Sequence, residues 1–157
     1  MKMKNHKSFT LIEILIVIAI LAGLTSLLVP NFMDARMRSR DAKRKADLKS
    51  IQSALELYKQ NQNPQTYPSA FPTPCTQFAD PAVTGVVYMQ KVPLEPLTSC
   101  SSSPKGYYFA PTPPFDYFLY ACLEDAQDPD GVTCPNGFAT NTGFTCSTNR
   151  CYKLTEP

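Results

Sequence analysis

The segment KSFTLIEILIVIAIL, residues 7–21, decides the fold because it opens a long apolar run that contains a single acid. Across residues 9–29 the only ionisable side chain is that of Glu13. A helix of these 21 residues would be about 30 Å long, which matches the hydrocarbon core of a bilayer. The sequence therefore predicts a membrane-inserting helix over residues 9–30.

A basic leader, residues 1–8, precedes this run and carries three lysines and no acid. Basic flanks stay on the cytoplasmic side of a membrane, so we expect the chain to insert with its N-terminus inside. A secretory signal peptide also starts with a basic flank, but its apolar region is about 7–15 residues long. The longer run disfavours that interpretation, although signal cleavage within residues 21–30 stays open.

A second helix-forming stretch, residues 31–63, contains no Gly or Pro. Its apolar residues recur at spacings of three and four, which predicts one buried face made of Leu48, Ile51, Ala54, Leu55 and Tyr58. The helix should end at residues 61–64, since Pro64 cannot continue it. We therefore expect an amphipathic helix that continues into the globular part of the chain.

The first half of that stretch, residues 34–49, is highly charged and has no broad apolar face. Charge runs of this kind are usually solvated, so a water-facing surface is predicted here. Contact with lipid headgroups or neighbouring subunits is the alternative. The whole chain has a net charge of only +2, which makes nucleic acid an unlikely partner.

The remaining residues, 64–157, contain 14 of the 15 prolines, the exception being Pro30. This change in composition predicts a separate head domain. Short β-like runs occur at residues 85–92, 105–110 and 115–123, which predicts a small antiparallel sheet. The last run is apolar on both faces, so one face should pack on the long helix. The predicted class is α+β, with residues 124–150 expected to be irregular loops.

All six cysteines lie in the head domain, at Cys75, Cys100, Cys122, Cys134, Cys146 and Cys151. The sequence has no C-x-x-C pair, and its single histidine, His6, belongs to the leader, so disulfides are favoured over zinc. Disulfides also fit an oxidising compartment beyond the membrane. The pairing expected here is Cys75 with Cys100, Cys122 with Cys134, and Cys146 with Cys151.

The position of Glu13 requires an explanation, because placing an acid at the centre of a membrane helix costs about 2.5–3.5 kcal/mol of insertion free energy. A position among the lipid headgroups is one explanation. A second explanation follows if the chain is cut between Ser8 and Phe9. The new ammonium on Phe9 would then lie one helical turn before Glu13, where the Glu13 of a neighbouring subunit can neutralise it.

These residues carry a family resemblance. The segment SFTLIEILIVIAILAGL, followed by VP, resembles the class III leader and helix of type IV pilins and type II secretion pseudopilins. The resemblance implies that a prepilin peptidase cuts between Ser8 and Phe9, that Phe9 becomes N-methylated, and that Glu13 registers each incoming subunit. The family usually has Gly before the scissile bond, where this chain has Ser8.

A second group of segments extends the resemblance through the head domain. Residues 54–69, 88–96, 106–111 and 115–125 are similar to the helix end, Tyr-Pro loop, Val-Pro turn and hairpin strands of pilin-like subunits. This order of elements implies the pilin fold, a long helix on a small sheet with disulfide-braced loops. Residues 132–157 have no clear counterpart.

The acidic segment EDAQDPDG, residues 124–131, is the one candidate for a metal site. Major pseudopilins hold calcium in a comparable loop, and the resemblance implies Asp125, Asp128 and Asp130 as ligands. The EF-hand spacing fails, because Ala126 and Gly137 stand at its first and last ligand positions. A solvated acidic turn without any cofactor is the alternative.

The resemblance implies a structural subunit of a type IV pilus-like filament. Its partners would be other copies of itself, prepilin peptidase, membrane lipid before assembly, and an ATPase-driven inner-membrane platform. The precursor would lie in the inner or cytoplasmic membrane and the filament in the periplasm or outside the cell. Gly23 and Pro30 are weak helix points, so a bend or melted segment between them is expected in the filament, with a mild kink at Pro30 as the alternative.

Other functions remain as alternatives. A pseudopilin of a type II secretion system would drive protein export instead of building a long surface fibre. A membrane-anchored binding protein would keep its N-terminus uncut and would not polymerise. An enzyme is disfavoured, since the sequence offers no nucleophile with a neighbouring base and no phosphate-binding glycine pattern.

Overall fold

The computed structural model describes residues 9–101, 105–112 and 116–157, with no side chains described at 27–31 and 141. The predicted leader, including Ser8, lies outside these residues. The elements in chain order are α1 (Leu11–Asn61), β1 (Phe78–Ala79), β2 (Val87–Met89), β3 (Tyr108–Thr112), β4 (Asp116–Cys122), β5 (Gly131–Thr133), α2 (Phe138–Thr142) and β6 (Arg150–Thr155). An N-terminal helix and a small sheet confirm the predicted α+β class.

The chain divides into two compact units, residues 1–36 and residues 37–157, and α1 contributes to both. In the first unit, α1 is helical through Gly23 and Pro30. The bend expected between those two residues concerns the filament and stays a prediction. No helix in the described part of the chain has the length and the apolar content needed to cross a membrane.

In the second unit, α1 buries the apolar face that the spacing predicts. Leu48 and Leu55 are fully buried, and Ile51 and Ala54 are nearly so. Tyr58, at the edge of this face, stacks on Phe78. The helix ends at Asn61, before Pro64, as predicted.

A four-stranded antiparallel sheet, in the order β3-β4-β6-β5, covers this face of α1. Alternate residues of β4, Tyr117, Leu119 and Ala121, are fully buried in the same core as Leu48 and Leu55. Since successive side chains of a strand point to opposite faces, this alternation places one face of β4 against the helix. The prediction that this strand packs on the helix is confirmed.

Two parts of the sheet region differ from the prediction. Residues 124–150, expected to be loops, contain β5 and the short helix α2. The C-terminal strand β6 pairs with both β4 and β5 and therefore lies inside the sheet. Short elements of three to six residues give too little periodicity to be recognised from sequence.

The disulfides follow the sheet and differ from the expected pairing at four of the six cysteines. Cys75 pairs with Cys100, as expected. The expected pairs of Cys122 with Cys134 and of Cys146 with Cys151 are wrong, because the bonds are Cys122–Cys146 and Cys134–Cys151. The register explains the second bond: Val132 of β5 lies opposite Cys151 of β6, which brings Cys134 beside the same strand.

Candidate assembly site

The candidate assembly site starts at the first turn of α1. The backbone N–H of Glu13 donates to the carbonyl oxygen of Thr10 at 3.1 Å and to its Oγ1 at 3.3 Å. Thr10 therefore caps the helix, and the spacing Thr-x-x-Glu is that of a capping box. An acid in the first turn is also favoured by the partial positive charge of the helix N-terminus.

This cap gives Glu13 a local structural role that the apolar pattern of residues 9–29 does not indicate. The sequence signal was present, since a Thr followed three residues later by a Glu ahead of an apolar run marks a helix start. Phe9, the residue after the predicted cut, lies just before the helix, Glu13 lies in its first turn, and both are exposed.

Beyond this turn, α1 presents an apolar belt, which we define as the exposed large apolar side chains of residues 9–24. Phe9 is 78% exposed and Leu11 is 83% exposed. The other members, all about half exposed or more, are Ile12, Ile14, Leu15, Ile16, Val17, Ile18, Ile20, Leu21 and Leu24. A contiguous apolar surface of this size marks a site of interaction with protein or lipid.

The polar side chains at the end of the belt satisfy their own hydrogen bonds. Thr25 Oγ1 donates to the carbonyl oxygens of Leu21 and Ala22, both at 3.0 Å, and Ser26 Oγ donates to that of Gly23 at 2.8 Å. Hydroxyl groups bonded back to the helix need no water. This part of α1 is therefore suited to apolar surroundings.

In the second unit, the charged stretch of α1 is only partly solvated. Its exposed members include Arg38, Lys43 and Lys49. The prediction of a solvated surface is wrong for Asp41 and Arg44. Arg44 is completely buried, and Asp41 and Glu95 are each 2% exposed. Arg44 Nη1 donates to Asp41 Oδ1 at 2.7 Å, and its Nε lies 3.1 Å from both carboxylate oxygens of Glu95. Burial, the largest single effect, acts to lower the pKa of Arg44, but the charge of Glu95 and the hydrogen bonds that Arg44 donates to Glu95, Glu124 and Asp41 together outweigh it, so the pKa is raised.

The same stretch of α1 holds the loop that follows β4. Asp41 accepts the backbone N–H of Glu124 and that of Asp125, at 3.0 Å and 2.9 Å. Arg40 Nε donates to Glu124 Oε1 at 2.7 Å. The hydrogen bond from Arg40, the largest effect, lowers the pKa of Glu124, and Arg44 acts in the same direction against the opposing effect of burial.

The three residues predicted to bind calcium lie in this loop, but they face side-chain cations. Lys45 Nζ binds both carboxylate oxygens of Asp128 and one of Asp130. Asp125 Oδ2 lies 3.8 Å from Arg38 Nε. Burial acts to lower the pKa of Lys45, but the hydrogen bonds to Asp128 and Asp130 outweigh it and the pKa is raised.

An exposed apolar segment whose single acid, Glu13, follows closely on the predicted cut is typical of proteins that assemble through their N-terminus. Comparison with known proteins supports this assignment. The prokaryotic N-terminal methylation motif matches residues 3–28. No solved structure matches the chain.

The similar proteins belong to two kinds of machinery. Type II secretion system core protein G of Pectobacterium carotovorum subsp. carotovorum is 43% identical over 65 residues, which are 41% of this chain and 40% of that protein. The type IV wide pilus major component PilA4 of Thermus thermophilus is 45% identical over 64 residues, 41% of this chain and 49% of that protein. Core protein G of Vibrio cholerae is 34% identical over 58 residues, 37% of this chain and 40% of that protein.

The chain thus spans less than half the length of these curated relatives. The resemblance to the family of type IV pilins and type II secretion pseudopilins is confirmed by the methylation motif and by these relatives together.

Proposed function

We propose that this chain is a structural subunit of a type IV pilus-like filament, cut by prepilin peptidase after Ser8 and polymerised through α1. The observation that carries the proposal is the apolar belt, which begins at the predicted cut and leaves residues 9–24 without partners in the described chain. The relatives named as a pilus component and as a secretion core protein support the same role. Such a subunit acts by assembling and not by catalysis.

Two successive environments account for the belt. Before assembly, membrane lipid would cover the apolar side chains of residues 9–24 and hold the precursor in the inner or cytoplasmic membrane. During assembly, the same side chains would pack against other copies, so little apolar surface is exposed to water at any step. An ATPase-driven membrane platform would supply the work of extraction, and the product would be an extracellular or periplasmic filament.

Charge pairing would give the polymer its register. After the cut, Phe9 carries an ammonium group, and N-methylation retains its positive charge. That cation would pair with Glu13 of the neighbouring copy, because two opposite charges in apolar surroundings attract far more strongly than in water. A subunit that is out of register would leave both charges unpaired, which is costly.

A pseudopilin of a type II secretion system is the second candidate, and the relatives named core protein G favour it. The two roles differ in what the cell loses without the chain. A pilin is required for long surface fibres that contain this chain. A pseudopilin is required for the release of exported proteins.

N-terminal sequencing of the protein isolated from cell envelopes tests the common part of both proposals. We expect a mature chain that begins with methylated Phe9. An uncut N-terminus, with monomers after detergent extraction, would instead identify a membrane-anchored binding protein that does not polymerise.

A further inference from the structure

The ammonium group of Lys45 bridges two carboxylates of the acidic loop after β4. Lys45 Nζ lies 2.8 Å from both Asp128 Oδ1 and Oδ2, and 2.7 Å from Asp130 Oδ2. Side chains of both Lys45 and Asp128 are mostly buried, at 21% and 14% exposure. Lys45 is 83 positions from Asp128 and 85 positions from Asp130 in the sequence, so these contacts link α1 to a distant loop.

Two further contacts hold this arrangement in place. Lys45 Nζ lies 5.3 Å from the centre of the Tyr152 ring, within the range of a cation–π interaction. Arg150 Nη2 donates to the carbonyl oxygen of Asp128 at 3.1 Å. The loop is therefore surrounded by cations from α1 and from β6.

A calcium ion does not fit this set of groups. Calcium takes about 6–8 oxygen ligands at about 2.3–2.6 Å, and the carboxylates of Asp128 and Asp130 are already bound by Lys45. The third predicted ligand, Asp125, accepts the backbone N–H of Gln127 and lies beside Arg38. A divalent ion on these oxygens would meet the positive charge of Lys45 at close range.

We propose that Lys45 serves as an internal cation that holds the loop of residues 124–131 on α1 in place of a divalent metal. The stability of the second unit is then independent of calcium. The ammonium group and an added metal compete for the same two carboxylates. This inference concerns the fold of the subunit and does not depend on whether the chain builds a pilus or a pseudopilus.

The melting temperature of the full chain in detergent, measured in calcium chloride and in chelator, tests the proposal. We expect the same value in both solutions, and no calcium binding by titration calorimetry. A melting temperature that rises with calcium would overturn the proposal.

Removal of the cation gives a second, independent test. Lys45→Met keeps an unbranched stem, removes the ammonium group and leaves the carboxylates of Asp128 and Asp130 without their cation. The melting temperature of this variant should lie below that of the wild type in chelator and should rise with calcium.

The matched control is Lys49→Met, one turn further along α1 at an exposed position. Its melting temperature should equal that of the wild type and should not change with calcium. If Lys45→Met is too unstable to purify, Lys45→Arg is measured instead. This variant retains the charge and should melt near the wild type.

A Lys45→Met variant that melts like the wild type would show that the ammonium group does not hold the loop. A destabilised variant that calcium leaves unchanged would show that metal and ammonium do not compete. Either result would overturn the proposal, and neither would affect the N-terminal cut.

Discussion

The buried carboxylate of Asp41 accepts the backbone N–H of Glu124, 83 residues further along the chain, at 3.0 Å. Arg44 neutralises the same carboxylate, so the negative charge is compensated where it is buried. The chain between β4 and β5 is therefore fixed to α1 by a side chain of the helix. The charged stretch of α1 is a docking surface for the head domain.

The first prediction concerns Glu13. Glu13→Gln keeps the shape and the helix start but removes the charge that would pair with Phe9 of the next copy. Loss of a charge-assisted contact worth about 1.5–3 kcal/mol should lower filament yield by at least about tenfold. Filament yield is measured by shearing and quantitative immunoblotting.

The control for Glu13→Gln is Asp34→Asn, which removes another exposed acid of α1 and should leave the yield unchanged. N-terminal sequencing of both variants shows whether the cut still occurs. Wild-type yield from a correctly cut Glu13→Gln chain would contradict the proposed pairing.

The second prediction concerns Arg44. Arg44→Met leaves the buried acids Asp41 and Glu95 without their cation, so the free energy of unfolding should fall by about 3–5 kcal/mol. Arg36→Met, at an exposed position on the same helix, should change it by no more than about 0.5 kcal/mol. Urea denaturation followed by tyrosine fluorescence provides the measurement, and equal stabilities would contradict the importance of the buried pair.

The third prediction concerns the dependence of stability on pH. The pKa of Glu124 is lowered below its usual 4.5, chiefly by the hydrogen bond from Arg40. Since the folded state prefers the charged form, the stabilisation is present above that usual pKa and is lost as the pH falls through the lowered value. The melting temperature should therefore fall when the pH drops below about 4.5.

Glu124→Gln separates this effect from the titration of other acids. The variant should melt below the wild type at neutral pH, and the difference should shrink as the solution is acidified. A difference that stays constant from neutral to acid pH would show that the charge of Glu124 is not responsible.

The fourth prediction concerns the disulfides. Three cleavages separate the four cysteines: a protease specific for glutamate cuts after Glu124, chymotrypsin cuts after Phe138 and so separates Cys134 from Cys146, and trypsin cuts after Arg150. Mass mapping of non-reduced peptides should find Cys122 linked to Cys146 and Cys134 linked to Cys151. Peptides that link Cys146 directly to Cys151 would contradict the structure.

Local spacing was sufficient to predict the parts of the fold that depend on a single element. The spacing of Leu48, Ile51 and Leu55 gave the buried face of α1, and the alternation in residues 115–123 gave the strand that packs on it. In each case the physical signal lies within a few turns of helix or one strand. The roles that the FTLIE segment indicates for Phe9 and Glu13 stay predictions.

The missed features depend on partners that are far apart in the sequence. Arg44 pairs with Glu95, which is 51 positions away in the sequence, and Lys45 pairs with Asp128, which is 83 positions away. No local pattern therefore distinguishes these buried charges from solvated ones. For the same reason, the expected pairing was wrong for Cys122, Cys134, Cys146 and Cys151. The bonds are set by the register of β6 between β4 and β5 and not by closeness along the chain.

The position of β6 also has a consequence for biosynthesis. The last strand of the chain, Arg150–Thr155, is an interior strand, and both β4 and β5 hydrogen-bond to it. The sheet therefore remains incomplete until β6 has left the ribosome and reached the side where folding takes place. A product truncated before β6 lacks an interior strand of its sheet, so the fold itself distinguishes chains that contain β6 from chains terminated before it.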